Sequence, residues 1–383
     1  MTQNEPLEIG IEEEYQLVDP GTGALRSDCK RVMKAIDADL ESEIQHELHL
    51  NQIEMASPVC HSLDEARQCL IRVRQTLAAA AESTGAALVS AATNPLPLPV
   101  GDDLAPKRRY RSMTEKYQKI ARDLYIFGCH VHVSMADRDL GVRVMNRLRV
   151  RLPFLQALTA NSPFWDGADT GYDSYRRELW VQWPMAGPPC HFDSAADYDA
   201  AVQRLVDATA IEDATNVYWD IRLPDKVPTI EFRAADAMTD VEETLGYAAL
   251  VRAMVAAAIR DEHAGRGCTP IDDAILRFAM WHAARFGVHD HLIDPVKGLP
   301  VSMKDHAEET LQWLGLPDGL PDDDGAAERF VRHTLAHGNG AKRQRAALGH
   351  EISSHNGELS DDDAKKVVAW AIGATLPNSS AVA

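Results

Sequence analysis

Positive charge is scarce in this 383-residue chain: 39 Lys and Arg stand against 58 Asp and Glu, a formal net charge of −19. Such a deficit argues against non-specific nucleic-acid binding and against attachment to anionic lipid, both of which need a basic surface. Anionic small substrates stay open, because a local group of arginines can reverse the field inside a cleft. Long hydrophobic runs are missing too, and no apolar stretch has the length of a membrane-spanning helix. The N-terminal MTQNEPLEIG lacks the basic and apolar regions of a secretion signal. Cysteine is sparse: Cys29, Cys60, Cys69, Cys129, Cys190 and Cys268 are scattered, with no CxxC spacing. They read as reduced thiols of a cytoplasmic protein, with neither a disulfide framework nor a structural zinc. No internal repeat, low-complexity tract or linker divides the chain, so residues 1–383 are read as a single domain with a substantial core.

What is present is an alternation of short strand-like runs with amphipathic helices. SLDEARQCLIRVRQTLAAAAESTG opens on a capping box, Ser62 and Glu65, and stops at Gly85. Its Leu63, Leu70, Val73 and Leu77 form a stripe assigned to core packing. Helices are also expected over residues 107–123 and from Asp137 to Ala160. Residues 161–193, rich in Gly, Pro, Asp and aromatics, read as a long irregular segment of the kind that carries function. VYWDIRLP and PTIEFRAAD, joined around Asp225, Lys226 and Val227, read as a hairpin. Beyond residue 240 the pattern is mostly helical, with an acidic surface loop LPDGLPDDDG and a frayed tail LPNSSAVA; this helical third offers surface for a homodimer.

IGIEEEYQLVD, starting at Ile9, puts consecutive glutamates into a strand. Side chains alternate along a strand, so Ile9, Ile11, Tyr15 and Leu17 share one face while Glu12, Glu14 and Gln16 share the other. Alone, this reads as a solvated face. Later strands repeat the design: His130 and His132 lie opposite Val131 and Val133, Asp220 and Arg222 opposite Trp219 and Ile221, and Glu231 and Arg233 opposite Ile230 and Phe232. An ordinary wet sheet face would carry Thr, Ser, Lys and Glu. Carboxylates with imidazoles hold divalent cations, and arginines grip phosphate or carboxylate with two hydrogen bonds. Glu54 fits less cleanly, sharing the parity of Leu48 and Leu50.

IGIEEEYQLVD, NQIEMASPVC, GCHVHVSM, YWDIRLP, TIEFRAAD and GNGAKRQR occur in this order, and together they resemble the glutamate–cysteine ligase type 2, or carboxylate–amine ligase, family. The resemblance runs from about Leu7 to Arg345. It implies an α+β, glutamine-synthetase-like fold: a curved antiparallel sheet with helices on its convex face and a concave funnel for ATP, Mg²⁺ or Mn²⁺, and small-molecule substrates. The implied reaction is ATP-dependent joining of a carboxylate, such as the γ-carboxylate of glutamate, to the amine of cysteine or another compound through an acyl phosphate.

Carried over by position, Glu12, Glu14, Glu54, His132 and Glu231 match metal ligands, Glu13 a variable residue between two of them, and Arg233 the residue that grips the transferring phosphoryl group beside Glu231. Arg222, Asp220, Trp219, Arg176 and Arg343 are candidates for ATP or substrate binding. Asn94 stands where some relatives carry His, which weakens any role for its loop. His130 is expected to be a satisfied strand histidine, and Trp180 and Trp183 to pack in their loop more than to stack adenine. A metal-dependent hydrolase built on His130 and His132, a guanidino kinase on the same fold, and a non-catalytic binding protein are the rival readings. Oxygen donors outnumber nitrogen, which disfavours zinc.

Overall fold

The structure, a computed structural model, describes residues 7–36, 40, 43–99, 104–289, 291–315, 325–350, 352 and 357–376. The acidic stretch 316–324 and the tail 377–383 lie outside the described residues. Its strands are β1 (Ile9–Val18), β2 (Ile44–His46), β3 (Gln52–Ala56), β4 (Ala87–Val89), β5 (Cys129–Ser134), β6 (Phe164–Trp165), β7 (Ala168–Asp169), β8 (Ile221–Arg222), β9 (Thr229–Phe232), β10 (His291–Asp294) and β11 (Leu299–Ser302). β6–β7 and β10–β11 are separate hairpins. The rest form one antiparallel sheet in the order β2-β3-β1-β5-β9-β8, with β4 beside the C-terminal end of β1.

Ile9, Ile11, Tyr15 and Leu17 of β1 are buried with Val131, Val133, Ile230 and Phe232. The helices Leu63–Ser83, Arg138–Leu148 and Val241–His263 pack on that face. The first begins as its sequence requires: Ser62 Oγ accepts the Glu65 N–H at 3.2 Å, and the Glu65 carboxylate accepts the His61 N–H at 2.7 Å. It ends at Ser83, and Gly85 follows with φ +80°, a conformation that glycine adopts without steric cost. Its stripe is not wholly apolar, because Arg74 lies within it with no exposure and pairs with Glu13, which points from β1 into the same interior. Tyr15 and Thr244 hydroxyls also donate to that carboxylate.

Two expected helices are interrupted. Residues 107–123 fold as Arg108–Tyr117 and Lys119–Arg122, broken at Gln118 with φ +51°. The Asp137–Ala160 stretch divides into Arg138–Leu148, a 3₁₀ turn Arg149–Arg151 and Leu152–Thr159. Pro153 starts the last of these, where its missing N–H costs nothing. The hairpin at 221–232 forms as expected, with Arg222 opposite Glu231. In the irregular segment, Ser174 caps a short helix, Tyr175–Trp180, that brings Arg176 and Arg177 to the sheet.

Candidate active site

The register of the sheet assembles the site. Glu14 faces Glu54 across β1 and β3, and Glu12 faces His130 across β1 and β5. His132 faces Glu231, and Glu231 faces Arg222. The parity conflict at Glu54 disappears because β3 starts only at Gln52, so Leu48 and Leu50 belong to the preceding turn. Over this polar face lies a cleft of about 330 Å³, lined by Glu12, Glu14, Glu54, His130, Arg176, Arg222 and Arg233, with Lys107, Arg109, Tyr110, Trp180, Trp183 and Tyr218 among its walls.

Among the described residues two groups could hold a cation: Glu12, His130 and Glu231, and Glu14, Glu54 and His130, each with candidate ligand atoms within 4.8 Å of one another. His130 Nδ1 lies 2.8 Å from Glu12, so the histidine expected to be merely satisfied in its strand belongs to both groups. His132 sits beside them, its Nε2 3.3 Å from Glu12 and 4.0 Å from Glu231, while Nδ1 meets the Thr229 hydroxyl at 3.0 Å.

Electrostatics divides the carboxylates. Burial works against the charge on Glu231, yet Arg233, Arg222 and His132 bring its carboxyl down to about 2. Burial likewise opposes ionisation of Glu12, but His130 and His132 hold it well below the usual range. At the other end nothing compensates fully. Burial and then Glu47 push Glu14 up to about 7, and burial with Glu47, Glu12 and Glu14 raises Glu54 well above the ordinary value. Crowded, buried carboxylates short of cationic partners are relieved by a divalent ion. The oxygen-rich donor set suits Mg²⁺ or Mn²⁺, with Glu12, Glu14, Glu54, Glu231 and the histidines as the residues that would hold it.

The arginines split in the same way. Arg222 Nε donates to Glu231 at 2.6 Å, and its Nη1 donates to the Thr215 and Val217 carbonyls at 3.1 and 2.7 Å. Arg233 Nη1 also pairs with Glu231, while among the described residues its Nε has no hydrogen-bond partner. Arg176, 3% exposed, lines the cleft, its Nε likewise without a hydrogen-bond partner among the described residues.

Other expected site residues do not line the cleft. Trp219 packs with Phe192 and Tyr198, on the apolar side that its strand parity dictates. Asp220 is fully buried and accepts from Arg177, so it braces the Tyr175–Trp180 helix. Arg343 is taken up by Glu243 and the Gly338 carbonyl. Arg345, from the same motif, bridges Asp169 and Asp173. Asn94 is buried and donates to Gln16 and the Gly23 carbonyl, locking its loop. Trp180, Trp183 and Tyr218 pack together as one wall of the cleft. Sequence reading missed Lys107 and Arg109 at the mouth; the basic run KRRYR in an acidic chain was the available signal. Among the described residues no helix is long and apolar enough to cross a membrane.

A helix-backed antiparallel sheet with acids, imidazoles and guanidiniums on its open face is the glutamine-synthetase-like ligase fold. A bifunctional glutathione synthetase from Pasteurella multocida matches with a TM-score of 0.67 at 18% identity, covering 96% of this chain and 54% of that one. This chain therefore spans about half the length of the Pasteurella protein. A glutamate–cysteine ligase from Francisella tularensis, solved in complex with AMP, matches with a TM-score of 0.67 at 13% identity, covering 98% and 90%. The model of glutamate–cysteine ligase family 2 matches residues 8–359. A relative from Rhodopirellula baltica, provisionally named glutamate–cysteine ligase 2, is 52% identical over 376 residues, 97% of both chains. Another from Mycolicibacterium vanbaalenii, provisionally named glutamate–cysteine ligase 2-2, is 42% identical over 346 residues, 88% of this chain and 92% of that one. The chain belongs to glutamate–cysteine ligase family 2.

Proposed function

We propose that the cleft joins a carboxylate to an amine at the expense of ATP, most simply the γ-carboxylate of glutamate to cysteine or another amine. One observation carries the reading: on one sheet face a bank of half-buried carboxylates, Glu12, Glu14 and Glu54, adjoins buried Glu231, where two guanidiniums, Arg222 and Arg233, meet. Glu12, Glu14, Glu54, His130, His132 and Glu231 would hold Mg²⁺ or Mn²⁺, which neutralises the triphosphate when bound. Arg233 lies where it can meet charge spreading over the γ-phosphoryl group as the substrate carboxylate attacks it. The attack forms a carboxylate–phosphate bond and releases ADP; the amine then displaces phosphate, and the amide remains. The relatives' names and the Francisella ligase's bound AMP support the same reading.

The test is phosphate release with ATP, Mg²⁺, L-glutamate and a panel of amines, followed by mass spectrometry of the product. Phosphate and amide in equal amounts are expected. ATP consumption with a phosphorylated guanidine instead of an amide, or hydrolysis by a zinc-loaded protein without ATP, would overturn the proposal.

A further inference from the structure

Gly128 immediately precedes β5, on the cleft side of the alternation that places His130 and His132 there. It lies directly across from Glu14: the Glu14 N–H donates to the Gly128 carbonyl at 3.1 Å, and the Gly128 N–H donates to Glu14 Oε2 at 2.6 Å. The row therefore runs Glu54, Glu14, Gly128 and then Asp236, and at Gly128 it has no side chain. The backbone does not require glycine there, since Gly128 is not among the positive-φ residues. The space does. A Cβ on residue 128 would lie 2.3 Å from Arg176 Nη2 and 3.0 Å from its Cζ. A guanidinium from outside the sheet fills the place the strand leaves empty.

Arg176 is delivered there by a braced backbone. Its N–H donates to Ser162 Oγ at 3.0 Å, and the Ser162 and Ser174 hydroxyls both donate to buried Asp236, at 2.7 and 2.9 Å. The guanidinium itself is loosely held. Nη1 has a 3.4 Å contact with the Ala234 carbonyl, Asp236 is 3.8 Å away, Cζ lies 6.0 Å from the centre of the Trp180 ring, and among the described residues Nε has no hydrogen-bond partner. Arg222 and Arg233 instead spend their strongest contacts on Glu231. A buried, underused, planar donor group facing a cleft calls for an anion.

We infer that Gly128 is a positioning residue: its missing side chain seats the Arg176 guanidinium beside Glu14, where it grips the α-carboxylate of an acidic amino-acid substrate. The identity of that ligand rests on the ligase reading. If the reacting carboxylate sits at the Glu231–Arg233 end, a second carboxylate on the same molecule is left near Glu14, Glu54 and Glu47. These would repel it without a cation in their row.

The test compares L-glutamate with 4-aminobutyrate, which keeps the γ-carboxylate and lacks the α-carboxylate, in Mg²⁺- and ATP-dependent phosphate release. Wild type, Gly128→Ala, Arg176→Ala and the double variant are measured. Wild type should prefer glutamate by about tenfold or more in kcat/KM, and each single variant should reduce that preference to about threefold or less, through the KM for glutamate and not that for ATP. The double variant should be no worse than Arg176→Ala, because the new Cβ then enters vacated space; a merely structural role would add its own loss. Urea midpoints confirm that the variants fold. A glutamate KM unchanged in Gly128→Ala, a fully additive double variant, or a loss falling on ATP would overturn the inference. A wild type that releases no phosphate with either compound removes the ligase reading alone. Calorimetry of L-glutamate on Mg²⁺-loaded wild type and Gly128→Ala then decides: weaker binding to the variant supports the seat, and equal or no binding overturns it.

Discussion

Removing the guanidinium of Arg74 should be among the most damaging single changes in this protein, and removing its partner as well should undo the part of the damage that comes from a stranded charge. Both Arg74 and Glu13 have no exposure. Arg74 Nε donates to Glu13 at 3.0 Å, Nη1 to the Thr239 and Thr375 carbonyls at 2.6 and 3.2 Å, and Nη2 to the Met238 carbonyl at 3.0 Å. Burial opposes the charge on Glu13, and Arg74 nevertheless holds its carboxyl below the ordinary value. Arg74→Met leaves that carboxylate with only the Tyr15 and Thr244 hydroxyls, an uncompensated buried charge costing about 3–5 kcal/mol. Glu13→Leu strands the guanidinium on its carbonyls, with a cost of about the same size. Independent effects would sum to roughly 6–10 kcal/mol, as much as a typical domain's whole stability. In the double variant both charges are gone. What remains is neutral, about 1–3 kcal/mol for each group left without its partner, the Thr239 and Thr375 carbonyls and the Tyr15 and Thr244 hydroxyls. The single variants carry the same losses, which cancel in the cycle, and Met238 keeps the Ser90 hydroxyl at 2.7 Å. Urea unfolding of the four proteins gives the cycle directly. A coupling of at least about 3 kcal/mol is expected; additivity within about 0.5 kcal/mol would refute the reasoning.

Arg233→Lys keeps the charge but loses the planar fork, so kcat should fall about a hundredfold while the KM for ATP changes little; wild-type kcat would make Arg233 only a structural partner of Glu231. Glu231→Gln should first raise the Mg²⁺ concentration needed for half-maximal rate, read from a metal titration. ATP binding should disappear in EDTA, because the half-buried carboxylates Glu12, Glu14 and Glu54 line the cleft and would repel the triphosphate; undiminished affinity by calorimetry would contradict this. Burial, with Arg151 beside it, pushes the His306 imidazole down to about 4, and Asp294 and Glu309 only partly offset that. The unfolded chain takes up this proton near pH 6.5 and the folded one resists until about 4, so stability should fall across that window by up to about 3 kcal/mol on acidification. His306→Leu should flatten the dependence, and an unchanged slope of urea midpoint against pH would rule it out.

The period of two puts Glu12, Glu14, His130, His132, Arg222 and Glu231 on one face, and because strand register is rigid backbone pairing then aligns them; Glu54 came from the family resemblance, against its apparent parity. The same period held the answer for Trp219, whose parity matched Ile221 and Leu223, and its expected role in the cleft failed for that reason. Glu13 was legible too. It keeps phase with Ile9, Ile11, Tyr15 and Leu17, just as Arg74 keeps phase with Leu70, Val73 and Leu77, and two opposite charges on facing interior stripes imply a pair. What local pattern could not supply was the competition for each arginine. Arg343 is consumed by Glu243, one hundred residues away along the chain, and nothing in GNGAKRQR says so.

The cations divide by origin, and that division shows how the cleft is built. Arg222 and Arg233 lie on or beside the sheet and are committed to Glu231, whereas Arg176, Lys107 and Arg109 reach the cleft from segments outside it. Opposite Glu231 the neighbouring strand supplies the cation itself, Arg222, whereas opposite Glu14 it supplies Gly128 and the cation comes from another element. Glycine at 128 provides the opening. The Tyr175–Trp180 helix, anchored through Asp236 and Asp220, provides the guanidinium. Ser162 and Ser174, both bonded to Asp236, hold this part of the irregular segment, and with it Arg176, in one geometry.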